Sequence, residues 1–198
     1  SFRHIEHKYR VNIYTKPIPV YLFLGFLEAG KTKFIQETLE DPQFNTGETT
    51  LILACETGEE EFDLSAFPNK NAHLRTISRV EDLTAEALAK MDKEIKPERV
   101  MLEYNGMWLL QPLLDAIPER WGIAQTFFLI DSTTFLTYNG NNGLRSLIVD
   151  KLSMTDLVAF NRYDDKFDQE LYHKIIRANN RSCEILYEYP DGRIAQDD

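Results

Sequence analysis

The chain has 198 residues, with 22 Lys and Arg against 32 Asp and Glu, so its formal net charge is −10. Hydrophobic residues make up 43% of it and charged residues 27%, which is an ordinary globular composition and excludes fibrous and disordered classes. The length suits one domain with a substantial core. The acidic balance excludes nucleic acid and anionic membrane surfaces as expected partners, because both carry charge of the same sign.

Cysteine usage and the chain's first residues set further expectations. Cys55 and Cys183 lie far apart, each in an apolar stretch, which indicates a reducing, cytoplasmic compartment and no disulfide framework. The longest apolar stretch, residues 18–27, is about half of the roughly 20 residues that a membrane-spanning helix needs. We expect residues 1–16 to be an N-terminal extension, native or added, and residues 17–198 to form the domain.

Short apolar runs alternate with amphipathic stretches, which is typical of βαβ units around a parallel sheet. Six runs are predicted to be strands: Val20–Leu24, Leu51–Cys55, Val100–Leu102, Thr126–Ile130, Leu157–Phe160 and Glu184–Tyr187. Each is continuously apolar rather than alternating, which indicates burial on both faces. We therefore predict an α/β fold, with a mostly parallel central sheet and helices on both faces.

Helices are predicted between these strands. A helical pattern follows the first strand at Phe34, Ile35, Thr38 and Leu39. Two apolar stripes recur at helical spacing later in the chain: Leu83, Ala87, Leu88, Met91 and Ile95; and Leu171, Ile175 and Ile176. We expect each stripe to face the core, and the last helix to follow an acidic start at Asp164 and Asp165. The irregular stretch from Glu56 to Ala72 carries several acidic residues and is interpreted as a solvated loop.

Residues Gly25–Thr32 match the pattern G-x-x-x-x-G-K-[ST] between a predicted strand and a predicted helix, which is the context of a phosphate-binding loop. Gly25 and Gly30 let the backbone N–H groups point inward around phosphate. Lys31 supplies a cation for the β- and γ-phosphates, and the Thr32 hydroxyl is a ligand for Mg²⁺. The predicted fold is therefore that of a P-loop NTPase.

One residue of this loop is unusual. Glu28 is an anion inside an anion-binding loop, so we expect its side chain to point outward while its backbone takes part. The predicted nucleotide-binding residues of this segment are Gly25, Glu28, Ala29, Gly30, Lys31, Thr32 and Lys33. The backbone of Ala29 to Thr32 is expected to stabilise charge that develops during phosphoryl transfer.

A second segment predicts which base is bound. Asn161-Arg162-Tyr163-Asp164 follows a predicted strand and resembles the N-K-x-D guanine signature. The Asp164 carboxylate can accept hydrogen bonds from guanine N1–H and its 2-amino group, a donor pair that adenine lacks. Asn161 would hold the loop or the base edge, and the Arg162 guanidinium could stack on the base in place of the usual Lys. We therefore expect GTP and GDP as ligands.

A third segment, Glu103-Tyr104-Asn105-Gly106, ends a predicted strand and has the form of an acid-x-x-Gly switch. Glu103 can reach Mg²⁺ directly or through water, and the Gly106 N–H can sense a γ-phosphate. Another interpretation is a strand that runs into an Asn-Gly turn.

These segments together suggest a reaction centre. Lys31, Glu56 and Glu103 are the candidate catalytic residues, and Mg²⁺ is expected between Thr32 and either Glu103 or Glu56. No residue is identified as the one that orients water. Glu56 and Glu59 are candidates for that role by position alone.

The set of segments resembles the CobW/HypB/UreG family of GTPases, most closely its CobW branch. The resemblance covers about residues 19–194, in the family's order throughout. The matching segments are Tyr21–Thr32 to the family's G-F-L-G-S-G-K-T loop, Leu51–Glu59 to N-E-F-G, Glu103–Gly106 to E-x-T-G, Phe127–Phe135 to the strand ending V-D-A, Asp156–Asp164 to A-D-x-x-x-x-N-K-x-D, and Ile175–Ile185 to I-N-P-x-A.

The resemblance implies a Mg²⁺-dependent GTPase, slow without a partner, that takes part in metal homeostasis. It implies a guanine nucleotide as ligand, and either a homodimer across the nucleotide or a target metalloprotein as partner. The family's C-x-C-C metal motif is absent, since residues 74–79 contain no thiol, and its C-terminal domain is also missing. We therefore expect a trimmed or short family member without a transition-metal site.

Other metal ligands are weakly indicated. His4 and His7 would share a helical face but lie outside the recognised domain, while His73 and His173 stand alone.

Three functional alternatives remain open. They are an ATP-dependent P-loop kinase, in which Asn161–Asp164 is only a loop; a nucleotide-binding regulatory module without turnover; and a metallochaperone.

Overall fold

A computed structural model describes residues 16–58 and 60–197. The strands in these ranges are β1 (Ile18–Leu24), β2 (Thr50–Ala54), β3 (Ala72–Thr76), β4 (Arg99–Glu103), β5 (Trp121–Asp131), β6 (Leu157–Asn161), β7 (Glu184–Glu188) and β8 (Ile194–Asp197). The helices are α1 (Lys31–Glu40), α2 (Ala85–Ile95), α3 (Gln111–Ala116), α4 (Phe135–Asn139), α5 (Asn142–Leu152) and α6 (Gln169–Asn179), with single 3₁₀ turns at Leu64–Ala66 and Val80–Asp82.

The strands form one sheet in the order β3-β2-β4-β1-β5-β6-β7-β8. All neighbouring pairs are parallel except β7 and β8, which are antiparallel. The carboxyl ends of β1, β4 and β6 therefore lie along one edge, where open α/β sheets bind ligands. This architecture confirms the predicted α/β fold of the P-loop NTPase type.

The core has two layers, one on each face of the sheet. On one face Phe23, Ile52 and Met101 pack against α1 through Ile35 and Leu39, all of them buried. The opposite face holds the larger cluster, to which alternate residues of the same strands contribute. Strands β2 and β4 are buried along their whole length, which explains their continuous apolar runs. Every helix in the described part of the chain is too short or too polar to cross a bilayer.

Two strands were not predicted because they lie at the edges of the sheet. Strand β3 reads Ala-His-Leu-Arg-Thr and is only partly buried, so it lacks the apolar run that marks an inner strand. It begins at Ala72, where the stretch interpreted as irregular ends. Strand β8 pairs with β7 through a hairpin and is likewise partly exposed. Edge strands of this kind carry little hydrophobic signal.

Two predictions about the last helix are wrong. Helix α6 begins at Gln169, and Asp168 caps it by accepting a hydrogen bond from the Leu171 N–H at 3.2 Å. The acidic pair Asp164–Asp165 lies in the preceding loop and does not start the helix. Leu171 was predicted to face the core but is 38% exposed, and its neighbour Tyr172 is buried instead. An aromatic residue one position along the helix takes the core-facing position.

Candidate functional site

The phosphate-binding loop follows β1 and leads into α1. Gly25 and Gly30 both have positive φ, 147° and 98°, a region that favours glycine. A β-carbon on Gly25 would lie 2.5 Å from the Leu129 carbonyl oxygen, so a larger residue would not fit there. No described side chain caps α1, whose N-cap is Gly30, so the first N–H groups of the helix are available to an anion.

Glu28 is the third residue of the loop with positive φ, at 65°, and its side chain is exposed. Glycine occupies this place in the G-F-L-G-S-G-K-T loop that the segment resembles. A non-glycine residue in the left-handed region costs about 1 kcal/mol or more. The loop therefore adopts its conformation despite Glu28.

Lys31 is the best-held side chain of the loop. It is buried, and its ammonium donates to the Gly25 carbonyl oxygen, to the Tyr104 carbonyl oxygen at 2.9 Å and to the Glu56 carboxylate. The cation is thus held at the meeting point of three segments, which are the loop itself, the residues after β2 and the residues after β4. A phosphate that reaches Lys31 has to take the place of Glu56.

Thr32 and Glu103 form a pair of oxygen groups beside this cation. The Thr32 hydroxyl donates to the Glu103 carboxylate at 2.6 Å, and Glu103 is buried at the end of β4. Burial raises the pKa of Glu103, while the hydrogen bond from Thr32 and the charge of Lys31 oppose that shift. A hydroxyl and a carboxylate at this place are the hard oxygen ligands that Mg²⁺ takes, so the residues present fit the ion.

The acid-x-x-Gly segment packs directly on the phosphate-binding loop. A β-carbon on Gly106 would lie 2.6 Å from the Gly25 carbonyl oxygen and 2.7 Å from the Phe26 α-carbon. Only glycine permits this approach. Sequence analysis placed Gly106 near the phosphates by its spacing from Glu103, but the packing against Gly25 has no sequence signal of its own.

Asn161 and Arg162 connect the predicted base-reading segment to the loop. Asn161 donates through Nδ2 to the Ala29 carbonyl oxygen, and its buried Oδ1 has no hydrogen-bond partner among the described residues. Arg162 forms an ion pair with Asp131 at 2.7 Å and lies 3.4 Å from the Glu28 carbonyl oxygen. These contacts bring the ends of β5 and β6 to the phosphate-binding loop.

Asp164 lies farther out. Its side chain is exposed, and its Oδ1 accepts a hydrogen bond from the Lys166 N–H at 2.8 Å. The pocket on this side of Gly30 encloses about 190 Å³ and is lined by Asn161 and Arg162, but not by Asp164. The structure thus brings Asn161 and Arg162 to the pocket and leaves Asp164 outside its wall.

Sequence analysis missed one wall of this pocket. Glu188 and Tyr189, at the end of β7, line it opposite the loop. The Tyr189 hydroxyl donates to Asp165 at 2.7 Å, and the Arg193 guanidinium lies 3.9 Å from the centre of the Tyr189 ring. The Pro190-Asp191-Gly192 turn was the available signal, because it closes the hairpin that places Tyr189 here.

The phosphate side of the loop opens into a second cleft of about 190 Å³. Its wall includes Lys31, Thr32, Glu56 and Glu103. The structure therefore brings the three candidate catalytic residues and the three candidate Mg²⁺ ligands together in one cleft. Lys33 lies at its exposed rim. Glu59, a candidate for orienting water, lies outside the described residues.

A larger and more apolar cleft lies beside the loop, with a volume of about 540 Å³. Phe26, Trp108 and Tyr138 contribute its aromatic wall, and the exposed side chains of Leu27 and Met107 stand at its mouth. It borders both the phosphate-binding loop and the segment after Gly106. Exposed apolar side chains gathered around one cleft are typical of interaction surfaces.

Within residues 16–58 and 60–197 no group of three or more His, Cys, Asp or Glu side chains is arranged to hold a metal ion. His173 contacts Asp197 at 2.8 Å in a pair between α6 and β8. His4 and His7 lie outside the described residues. Cys55 and Cys183 are both buried free thiols, and burial raises the pKa of Cys55 to about 12.

Comparison with solved structures supports the fold. The Zn(II)-bound YjiA GTPase from Escherichia coli aligns with a TM-score of 0.60 at 20% identity, over 86% of this chain and 57% of that chain. The hydrogenase maturation factor HypB from Archaeoglobus fulgidus gives 0.60 at 15% identity, over 88% and 82%. HypB from Helicobacter pylori in complex with nickel gives 0.52 at 13% identity, over 93% and 83%. The chain therefore spans less than two thirds of the YjiA chain that it matches.

A search of curated proteins by sequence finds no significant match. The family profile described as the CobW/HypB/UreG nucleotide-binding domain matches residues 19–186, which is most of the chain and includes the phosphate-binding loop, the Glu103 segment and Asn161. The resemblance at the level of the family is thereby confirmed, and this chain belongs to the CobW/HypB/UreG nucleotide-binding domain family.

Proposed function

We propose that this domain binds Mg²⁺–GTP and hydrolyses it slowly, and that it belongs to the CobW branch of the family. One observation carries the proposal. The buried Lys31 ammonium and the Thr32–Glu103 pair meet at one end of a glycine-rich loop that leaves its helix N-terminus open to an anion. A polyphosphate tail with its metal ion is the ligand class that this combination suits.

The chain's own residues have separate roles in this mechanism. The backbone N–H groups of Gly30, Lys31 and Thr32 would bind the β- and γ-phosphates, whereas the expected part of the Ala29 N–H is not kept, because this group already donates to the Phe26 carbonyl oxygen at 3.0 Å. Lys31 would stabilise the charge that develops on the phosphates. Thr32 and Glu103 would hold Mg²⁺, and Glu56 would be a further ligand once it has left Lys31. The ion, when bound, neutralises phosphate charge. Hydrolysis without a partner would be slow, since no described side chain is fixed where it would orient water.

Guanine is the proposed base. Its support is the position of Asn161 and Arg162 at the end of β6, in the wall of the pocket beside Gly30. Asp164, three residues after Asn161, would turn from the Lys166 N–H to the base edge when nucleotide binds. Arg162 is already held over the loop by Asp131, where its planar guanidinium could cover a base.

Metal or cofactor handling is the proposed context. Among the similar structures, YjiA is Zn(II)-bound and HypB from Helicobacter pylori is in complex with nickel. For this chain we propose action on a metalloprotein partner without a transition-metal site of its own, because residues 74–79 supply no thiol. The exposed apolar cleft at Leu27 and Met107 suits a partner or a second copy.

The proposed location is the cytoplasm, because Cys55 and Cys183 are free buried thiols, which suit a reducing compartment.

A nucleotide-binding module that does not turn over is the second candidate. The observation that favours it concerns Glu56, the described residue that was assigned by position to orient water. Its carboxylate is bound to Lys31 in this structure, and in the proposed mechanism it would become a Mg²⁺ ligand after leaving Lys31, so it would not be free to orient water in either state. Such a module would bind GTP tightly without releasing phosphate. An ATP-dependent kinase would instead bind ATP at least as well as GTP.

The test is calorimetric titration with GTP, GDP and ATP in the presence of Mg²⁺, followed by phosphate release. We expect GTP and GDP to bind at least tenfold more tightly than ATP, and slow release of phosphate from GTP. Lys31→Ala should abolish binding, while Lys90→Ala on the exposed face of α2 serves as the matched control. Equal ATP binding would contradict the guanine assignment, and binding without phosphate release would favour the non-hydrolysing module.

A further inference from the structure

A buried lysine lies behind the phosphate-binding loop and takes no part in the roles described above. Lys151, in the last turn of α5, is only 2% exposed. Its side chain lines a small gap in the packing together with Gly25, Phe26, Gly106 and Phe128. The lysine therefore lies beneath the place where the phosphate-binding loop and the acid-x-x-Gly segment touch.

Lys151 and its neighbour Asp150 hold the backbone of the acid-x-x-Gly segment. The Lys151 ammonium donates to the Trp108 carbonyl oxygen. The Asp150 carboxylate accepts a hydrogen bond from the Leu110 N–H at 3.0 Å and lies 3.8 Å from the Lys151 ammonium. One charged pair at the end of α5 thus fixes two backbone groups just beyond Gly106.

Further bonds fix the rest of the same segment. The Tyr104 hydroxyl donates to the Leu109 carbonyl oxygen at 2.6 Å, and the Trp108 N–H donates to the Asn105 carbonyl oxygen at 3.1 Å. Between these contacts Gly106 lies against Gly25 with no room for a β-carbon. These hydrogen bonds therefore hold the segment from Tyr104 to Leu110 as a fixed turn. The charged pair Lys151–Asp150 of α5 supports this turn, and we call the pair the charged brace.

Burial of the Lys151 ammonium costs solvation free energy, so a charged residue at this position requires a specific role. Burial lowers the pKa of Lys151 to about 8, because the ammonium has left water. An apolar side chain of similar length would fill the gap without that cost. It could not, however, donate to the Trp108 carbonyl oxygen, which would then be left without this donor. The polar function of Lys151 is therefore the fixing of this backbone carbonyl.

We propose that Lys151 and Asp150 are positioning residues of the nucleotide site. They act through Trp108 and Leu110 to hold Gly106 against the phosphate-binding loop. The role assigned to the Gly106 N–H in the proposed function is contact with a γ-phosphate. This inference rests on the proposed function and adds a source of discrimination between GTP and GDP. GDP lacks the group that Gly106 would contact, so its binding does not depend on the brace.

The test compares affinities for GDP and for a non-hydrolysable GTP analogue, with Mg²⁺, in the wild-type chain and in Lys151→Met. We expect the variant to bind the analogue about tenfold more weakly and GDP within about threefold of the wild type. Lys151→Arg keeps the donor and should recover part of the loss. Lys90→Met, the same change at an exposed site, should alter neither affinity.

Asp150→Ala is the second variant and is used if Lys151→Met does not fold, since the Asp150 side chain is partly exposed. It should show the same selective loss for the GTP analogue. Equal weakening of both nucleotides, or no change in either, would overturn the positioning role. A wild-type chain that binds neither nucleotide would overturn the proposed function itself, which separates the two failures.

Discussion

The Glu56 carboxylate and the Lys31 ammonium form an ion pair in which the side chains are 9% and 4% exposed. Lys31 is the cation that the proposed mechanism uses for phosphate, so Glu56 occupies the position that an anionic ligand needs. In the proposed mechanism nucleotide binding breaks this pair, and Glu56 would then be free to move with the acidic residues that follow it. The pair would thereby couple phosphate binding to the conformation of the segment after β2.

Glu56→Gln should raise the affinity for GDP in the absence of Mg²⁺ by about three- to tenfold, because a neutral amide competes less for Lys31. The same change should slow phosphate release with Mg²⁺, since Glu56 is a proposed ligand of the ion. Titration and a phosphate-release assay measure the two effects. Glu60→Gln, which removes the same charge from the wall of the same cleft, is the control. Identical behaviour of both variants would contradict a specific role for the pair.

Two substitutions of Glu28 should separate the effect of backbone strain on stability from the effect of its negative charge on nucleotide binding. Its φ of 65° strains any residue except glycine, so Glu28→Gly should unfold with a free energy about 0.5 to 1 kcal/mol higher than Glu28→Ala. Both variants remove the same anion and should strengthen nucleotide binding to the same small extent. Urea unfolding and titration measure these quantities. Equal stability of the two variants would show that position 28 is not strained.

The phosphate-binding loop and its neighbours illustrate what sequence could predict. Gly25, Lys31 and Thr32 follow from a local pattern, because a strand, a turn and a helix N-terminus are specified by adjacent residues. The inner strands follow from continuous apolar runs, because burial on both faces leaves no polar positions. Contacts such as that of Gly106 with Gly25 could not be predicted, since they depend on which strands are neighbours in the sheet.

The edge strands and the buried lysine Lys151 could not be predicted, because their residues have no distinctive sequence pattern. Strands β3 and β8 are partly exposed, so they contain polar residues and lack the continuous apolar run that predicts an inner strand. Lys151 has the sequence appearance of an exposed helix lysine, and only the packing of α5 behind the loop reveals its burial. Tyr189 reaches the pocket through a hairpin whose partner strand had not been predicted.

Gly106→Ala should destabilise the protein by about 1 to 3 kcal/mol, because the new methyl group would meet backbone atoms of the phosphate-binding loop at 2.6 and 2.7 Å. It should also weaken binding of the GTP analogue. Gly143→Ala is the matched control in α5, where the nearest atom lies at 3.4 Å, and it should be neutral or stabilising by up to about 1 kcal/mol. Urea unfolding of both variants checks this. A neutral Gly106→Ala would refute the close packing.

Asp164→Asn tests the base-reading prediction. An amide can accept from one guanine donor but loses the paired acceptor, so the GTP affinity should fall at least tenfold while ATP affinity stays the same. Asp165→Asn removes the same charge one residue away, from a carboxylate that contacts Tyr189, and is the control. Calorimetric titration of both variants with GTP and ATP gives the ratio. If only Asp165→Asn alters it, the specificity belongs to the Tyr189 wall.

Lys151 predicts a pH dependence of stability. Its pKa is about 8 in the folded chain, against an ordinary value of 10.5, so between these values the unfolded chain binds more protons than the folded chain. The free energy of unfolding contributed by this group therefore rises with pH above about 8. Asp150 and Glu56 raise this pKa and Lys31 lowers it, but burial is the largest influence.

Comparison with Lys151→Met isolates this contribution, because all other titrating groups, including Cys55 and the buried tyrosines, are common to both proteins. Urea unfolding of each at pH 7 to 9.5 should show the wild type gaining about 2 kcal/mol relative to the variant across that window. Two curves that stay parallel would mean that the Lys151 ammonium is not buried in solution. The charged brace behind the phosphate-binding loop would then have to be abandoned, whatever the nucleotide affinities showed.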